Sequence, residues 1–238
     1  MFVDTCAWRD EDATLIARQA ALGASRGGGA GGSIVLLATT HAHVDFAANL
    51  IESLSRVGVM NYALLTPDEP MLATCAARGW ACALAPIEVG VNARVTTDGG
   101  GDREAMSQHS PLYNRFTWER LRWVECVLLM AVSVLFLDTD SVALPGFSRA
   151  VARLFPVAAG LDGATARHLP ESLSVSCDNL VGPQTNPALS AWRADDGGAA
   201  LALLRAWRSL EPSGPAGPVY GDMRGARLTM ASPFTDCG

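Results

Sequence analysis

Lysine is missing from this 238-residue chain, whose 18 basic residues are all arginine. Its absence removes any chemistry that needs a Schiff base or a lysine phosphate clamp. Basic residues are outnumbered by 24 acids, for a net charge of −6, and no polybasic run could follow a nucleic-acid backbone or an anionic membrane. Nucleic acid is therefore not an expected partner. Histidine is scarce: His41 and His43 read as solvated or capping loop residues, and His109 and His168 have no partners at metal spacing. The cysteines Cys6, Cys75, Cys82, Cys126, Cys177 and Cys237 form no CxxC pair, which leaves a zinc knuckle or dithiol redox site without support and favours structural thiols. Cys75 and Cys82 are spaced to permit a disulfide in an oxidising lumen. Long apolar runs are lacking too. The longest, residues 126–137, is too short for a bilayer, and the acidic first 15 residues do not read as a signal peptide.

What the chain has in quantity is apolar residues, 49% of the total, enough for the core of an α/β domain. Residues 10–22 suit a short helix, and residues 25–32 are a linker by their glycine content, so an N-terminal extension over 1–32 and a folded domain over 33–238 are expected. Residues 33–39 are a β-branched apolar run of strand length, as in a buried parallel sheet. A helix over 44–57, a strand over 61–66, a helix opening at Pro67, Asp68 and Glu69, and a strand over 80–84 follow. Alternation of this kind predicts a doubly wound sheet. Residues 95–102 read as a loop, 116–130 as a helix, 132–137 as a strand, 147–154 and 198–210 as helices, and 180–192 as a loop and strand. Trp118, Trp123, Trp192 and Trp207 are expected in the core rather than stacked on a ligand, and Asp195 and Asp196 at a helix start.

The stretch VLFLDTDSVAL, residues 134–144, carries the chemistry. It delivers Asp138 and Asp140 to the carboxyl end of a buried strand, where ligands of open α/β sheets bind. Two hard carboxylates one residue apart suit an oxygen-preferring divalent cation, which neutralises the charge that grows on a departing diphosphate. For that role the pair must face a cleft rather than be engaged in an ion pair. Arg115, Arg120 and Arg122 precede the strand on a helix. One of them could reach a phosphate bidentately, although a helix of this kind usually exposes such charges.

Three stretches extend the motif: residues 49–69, NLIESLSRVGVMNYALLTPDE; residues 118–147, which contain the acid pair; and residues 185–207, TNPALSAWRADDGGAALALLRAW. In this order, over most of residues 32–230, the chain resembles the nucleotide-diphospho-sugar transferases, which include plant and algal arabinosyl- and xylosyltransferases of type II Golgi topology. The resemblance implies a GT-A-like, Rossmann-type α/β sandwich with a mainly parallel central sheet flanked by helices. It implies transfer of a sugar from a nucleotide-diphosphate donor, a UDP-sugar by preference, to a glycan or glycoprotein hydroxyl. Asp138 and Asp140 then hold Mn²⁺ or Mg²⁺, Thr39 and Thr40 lie near the nucleotide base, and Asp68 and Asp222 line the site. Asp222 and Asn186 are then the catalytic candidates around the donor sugar. The chain departs from the family at Asn186-Pro187-Ala188, where Asn-x-Gly is usual, and at Ala131, where a glycine usually precedes the metal strand. The Golgi lumen is implied as the location, although no membrane anchor is visible in these residues.

Two rivals remain. LFLDTDSV, residues 135–142, approximates the nucleophile loop of haloacid-dehalogenase-like phosphatases, with Asp138 as nucleophile and Asp140 as general acid. That family places the loop near the start of the domain and uses a basic residue, usually lysine, beside it. The other rival is a transferase-like domain without turnover that serves as a binding partner.

Overall fold

The structure is a computed structural model that describes residues 6, 8–24, 32–85, 87–89, 93–95, 111–147, 173–178, 184–192, 194 and 198–208. The glycine-rich segment 25–31, residues 96–102 of the expected loop, residues 148–154 of the helix expected over 147–154, Asp195, Asp196 and Asp222 lie outside the described residues.

The elements run α1 (Asp10–Ala24), β1 (Ser33–Ala38), a 3₁₀ turn (His41–His43), α2 (Val44–Arg56), β2 (Tyr62–Thr66), α3 (Glu69–Arg78) and β3 (Cys82–Leu84). There follow β4 (Ile87–Val89), β5 (Ala93–Val95), α4 (Pro111–Leu129), β6 (Ser133–Asp138), β7 (Leu173–Asp178), β8 (Gln184–Trp192) and α5 (Ala199–Arg208). The main sheet has the order β3-β2-β1-β6-β8-β7. Its first four strands are parallel, and β8 runs antiparallel to both β6 and β7. The expected mainly parallel α/β sheet is therefore present. The β4–β5 hairpin has no counterpart in the sequence analysis, because three-residue strands carry little periodic signal; β7 has none either, although LSVSCD alternates apolar and polar residues as a half-buried strand does.

Parallel strands inside a sheet lose water on both faces, which is why β1 and β2 are apolar at nearly every position and fully buried. Alternation then sorts their side chains. Ile34, Leu36, Ala63, Leu65, Val134 and Phe136 pack on one face with Ile16 of α1, Trp118, Leu121 and Val127 of α4, and Leu204 of α5. Val35, Leu37, Leu64, Leu135 and Leu137 pack on the other with Leu50 and Leu54 of α2 and Met71 and Cys75 of α3. The result is a three-layer sandwich. Trp118, Trp123 and Trp192 are buried in it as expected.

One boundary is corrected. Helix α1 was expected to stand outside the folded domain, yet Ile16 and Ala20 are core residues on the first face. Asp12 is buried, is paired with Arg9 at 2.6 Å and accepts the Leu84 N–H of edge strand β3 at 3.1 Å. At Gly23 a Cβ would lie 2.2 Å from the Ser33 carbonyl, so only glycine allows α1 to approach the start of β1 so closely. A Cys6–Cys126 disulfide ties the segment before α1 to α4. Cys75 and Cys82 form the second disulfide, joining α3 to β3.

The helix ends explain the departure at residue 131. Helices α2 and α3 close with Schellman turns around Gly58 and Gly79, at φ of 77° and 68°: Val59 N–H donates to Leu54 O, and Trp80 N–H to Cys75 O. Helix α4 closes in the same way, with Val132 N–H on Val127 O and Ala131 N–H on Leu128 O, but with alanine at a φ of 58°. A Cβ in the left-handed region costs about 1–2 kcal/mol, against about 0.4–1 kcal/mol that glycine's freedom costs through the unfolded state. Ala131→Gly is therefore expected to stabilise the protein by about 0.5–1 kcal/mol in urea denaturation. A loss of stability would contradict this account of the turn.

Candidate functional site

Between β1 and β6 the sheet changes its direction of winding. From β1 the chain steps outward through β2 to β3, and it then returns to place β6 on the other side of β1. Ala38 is in register with Asp138, so the carboxyl ends of these two parallel strands lie side by side. Helices leave the sheet to opposite faces at such a switch point and open a crevice between the strand ends. Thr39 and Thr40 continue β1 into this region, and Thr139 and Asp140 continue β6.

On the β6 side, Ser141 N–H donates to the Asp138 carbonyl at 3.1 Å, which closes a turn through Thr139 and Asp140. Thr139 is buried, Asp140 is exposed and the Asp138 side chain retains 30% of its exposure. The next residues are fixed in turn: Ala143 N–H donates at 2.9 Å to Ser53 Oγ of α2. Asp138 lies on the same side of its strand as Phe136 and faces α4, where Arg120 Nη1 donates to its Oδ1 at 2.6 Å. The Arg120 guanidinium stands 5.5 Å from the Phe136 ring centre and 6.0 Å from that of Phe116, and only 11% of its side chain is exposed.

Among the described residues, the requirement that both acids be free of ion pairs is thus met by Asp140 and not by Asp138. The expectation that the arginines of this helix are exposed is also corrected. All three are at least half buried, and Arg115 and Arg122 pair with the buried Glu119 at 3.2 and 3.7 Å. Sequence could narrow the choice to these three but not select Arg120, because the selection depends on which turn of α4 crosses the end of β6.

On the β1 side, Thr39 and Thr40 are buried, and Thr39 N–H donates to Leu65 O at 3.1 Å. Thr40 Oγ1 lies 3.4 Å from His43 Nδ1. Asp68 follows β2 and is buried. Its Oδ1 accepts the Met71 N–H at 2.8 Å, capping α3, and its Oδ2 accepts the His41 N–H at 2.9 Å. Both oxygens are engaged by backbone donors, so Asp68 ties the end of β2 to the turn after β1. Asn186 lies in the N-terminal part of β8. Because Leu137 pairs with Leu189, its backbone stands at the same end of the sheet as Asp138. Asp222 lies outside the described residues, and among the described residues no three His, Cys, Asp or Glu group to hold a metal ion.

The Asp138 carboxyl is held above the usual aspartate range, chiefly by burial. The Arg120 charge opposes the shift, the Asp140 charge adds to it, and the Arg120 hydrogen bond opposes it again. Two negative charges have therefore been brought to a partly desolvated strand end with one guanidinium beside them.

The sequence matches no protein-family model and no curated protein. Among solved structures, the chain is similar to the glycosyltransferase GlyE of Streptococcus pneumoniae TIGR4. The apo form is 18% identical at a TM-score of 0.42, covering 75% of this chain and 38% of that one. A second GlyE structure is 16% identical at 0.44, covering 82% and 43%. A glycosyltransferase involved in the glycosylation of the major capsid of PBCV-1 is 14% identical at 0.34, covering 75% and 66%. The chain thus spans about two fifths of the length of GlyE, and likeness at these values assigns no activity. No helix among the described residues is long and apolar enough to cross a membrane.

Two outcomes are expected. Asp68→Ala removes a helix cap and a buried tie and should cost about 2–3 kcal/mol in urea denaturation. Asp68→Asn, which can still cap, should cost less, and equal losses would contradict the capping role. A carboxyl whose pKa is raised by folding contributes stability that is complete below its unfolded pKa and is lost as pH rises through the folded value. The stability of the parent relative to Asp138→Asn should therefore fall as pH rises from below about 3.9, the ordinary aspartate value, and then level. A difference that grew in the parent's favour would oppose the assignment.

Proposed function

We propose that the chain carries a metal-dependent glycosyltransferase domain, which moves a sugar from a nucleotide-diphosphate donor to a hydroxyl of a glycan or glycoprotein. The observation that carries this reading is the position of Asp138-Thr139-Asp140 at the switch point of a parallel sheet, in register with the end of β1. A nucleotide laid across that crevice would have Thr39 and Thr40 on one side and the acid pair on the other.

The acid pair fits a hard divalent ion, Mn²⁺ or Mg²⁺. Asp140 is exposed, and among the described residues nothing donates to Asp138 Oδ2. With no third ligand grouped there among the described residues, the donor's phosphates and water would complete the shell, with Asp222 a further candidate. When bound, the ion would supply neutralisation of the charge that develops on the leaving diphosphate. The protein's own part is to hold both carboxylates on a strand end that is rigid because its strand is buried in the sheet. The Asn186 backbone, at the same end of the sheet, supports a place for that residue near the donor sugar.

The phosphatase alternative draws no comparable support. It calls for the acids near the start of the domain, whereas the first strand is followed by Thr39 and Thr40 and the acids come at the end of the fourth strand of the parallel set. Two disulfides support maturation in an oxidising compartment, which is compatible with the Golgi lumen implied by the family resemblance. UDP-sugar is the favoured donor class.

Asp140→Asn tests the reading. The side chain is exposed and its loss should leave the fold intact, while UDP binding in the presence of Mn²⁺ should weaken by about tenfold or more, since a neutral amide is a poor ligand for a hard cation. Calorimetry on both proteins measures it, and equal affinities would remove the assigned role.

A further inference from the structure

We propose that Arg120 is a placeholder cation that holds Asp138 in the free protein and exchanges that carboxylate for the donor's diphosphate when a divalent ion binds. The proposal rests on the reading of Asp138 and Asp140 as the metal-binding pair, and it selects Arg120 from the three arginines of α4 that could reach a phosphate.

The argument starts from charge. Arg120 Nη1 sits 2.6 Å from Asp138 Oδ1, the position from which an ion held by Asp138 and Asp140 would be repelled. Even on Oδ2, which has no donor among the described residues, a divalent ion would share one carboxylate's charge with the guanidinium on Oδ1 and repel it, so the two compete. Nor would the arginine be free to drift into solvent after losing the contest. Its guanidinium lies beside the Phe116 and Phe136 rings, at 6.0 and 5.5 Å, and its side chain is 11% exposed. That anchorage keeps a planar five-donor fork at the end of β6. Such a fork matches phosphate oxygens bidentately, and a diphosphate is the anion that would arrive together with the metal. Without ligands, the same pair neutralises one of two adjacent acids and keeps the strand end from carrying two unbalanced charges. Among the described residues, no other cation contacts either acid.

Arg120→Met keeps the packing against both rings and removes the charge, and Asp138, 30% exposed, can rehydrate. Mn²⁺ affinity, read by electron paramagnetic resonance without nucleotide, should rise by about tenfold in this variant. Arg120→Lys, which retains a competing charge, should return it towards the parent value. Arg56→Gln removes an equal charge from an exposed pair with Glu52 on α2 and should leave it unchanged. With Mn²⁺ saturating, UDP affinity of Arg120→Met should fall by about tenfold, by calorimetry. Tighter Mn²⁺ together with weaker UDP supports the exchange, provided that circular dichroism shows a folded variant. Unchanged or weaker Mn²⁺ binding overturns it, as does tighter Mn²⁺ with unchanged UDP binding. If parent and variant bind Mn²⁺ equally, the metal reading stands and the exchange alone falls. If neither binds Mn²⁺, both fall.

Discussion

The structure depends on one pairing: two buried parallel strands, β1 and β6, held in a register that brings Ala38 opposite Asp138. Register in a sheet buried on both faces is strongly specified, since a slip by one residue would send every side chain to the wrong helix layer. Leu36 and Phe136 must meet α1 and α4 while Leu37 and Leu137 meet α2 and α3. The same burial that fixes the core therefore fixes where two carboxylates emerge. A site at the end of such strands inherits its rigidity from packing rather than from its own contacts.

Helix α4 serves both purposes. Trp118, Leu121, Val124 and Val127 form part of the first core layer, and Cys126 anchors the segment before α1. Glu125 receives Arg205 at 2.7 Å and also Arg208 from α5, locking the two helices together. From this fixed body Arg120 reaches the strand end. Burial pushes Asp138 towards its neutral form and Arg120 pulls it back, so its charge state is a balance set by a residue 18 positions earlier.

Much of the fold was legible because its signals are local. The apolar run of residues 33–39, the glycines after α2 and α3 and the three-four spacing over residues 44–57 each predict an element found within one or two residues. The acid motif was legible for the same reason, as two residues at the end of an apolar run. Apart from β7, whose alternation is local, what escaped depends on neighbours distant in sequence. Helix α1 looks weakly amphipathic and is followed by glycines, so nothing local shows that it covers β1 to β3. Arg120 and its acid are joined by tertiary packing alone. Asp68 shows the reverse: the sequence indicated a helix start, and the tie to His41 that engages its second oxygen comes from the next loop over.

The central claim is that the ends of β1 and β6 together receive a metal-bound nucleotide. Paramagnetic broadening tests it directly, by adding Mn²⁺ and UDP to the isotope-labelled chain and following each backbone amide. Broadening centred on Thr39, Thr40 and the amides of residues 138–141, with α1 and β3 left sharp, is the expected result. Broadening centred elsewhere, or none that depends on UDP, would contradict the account.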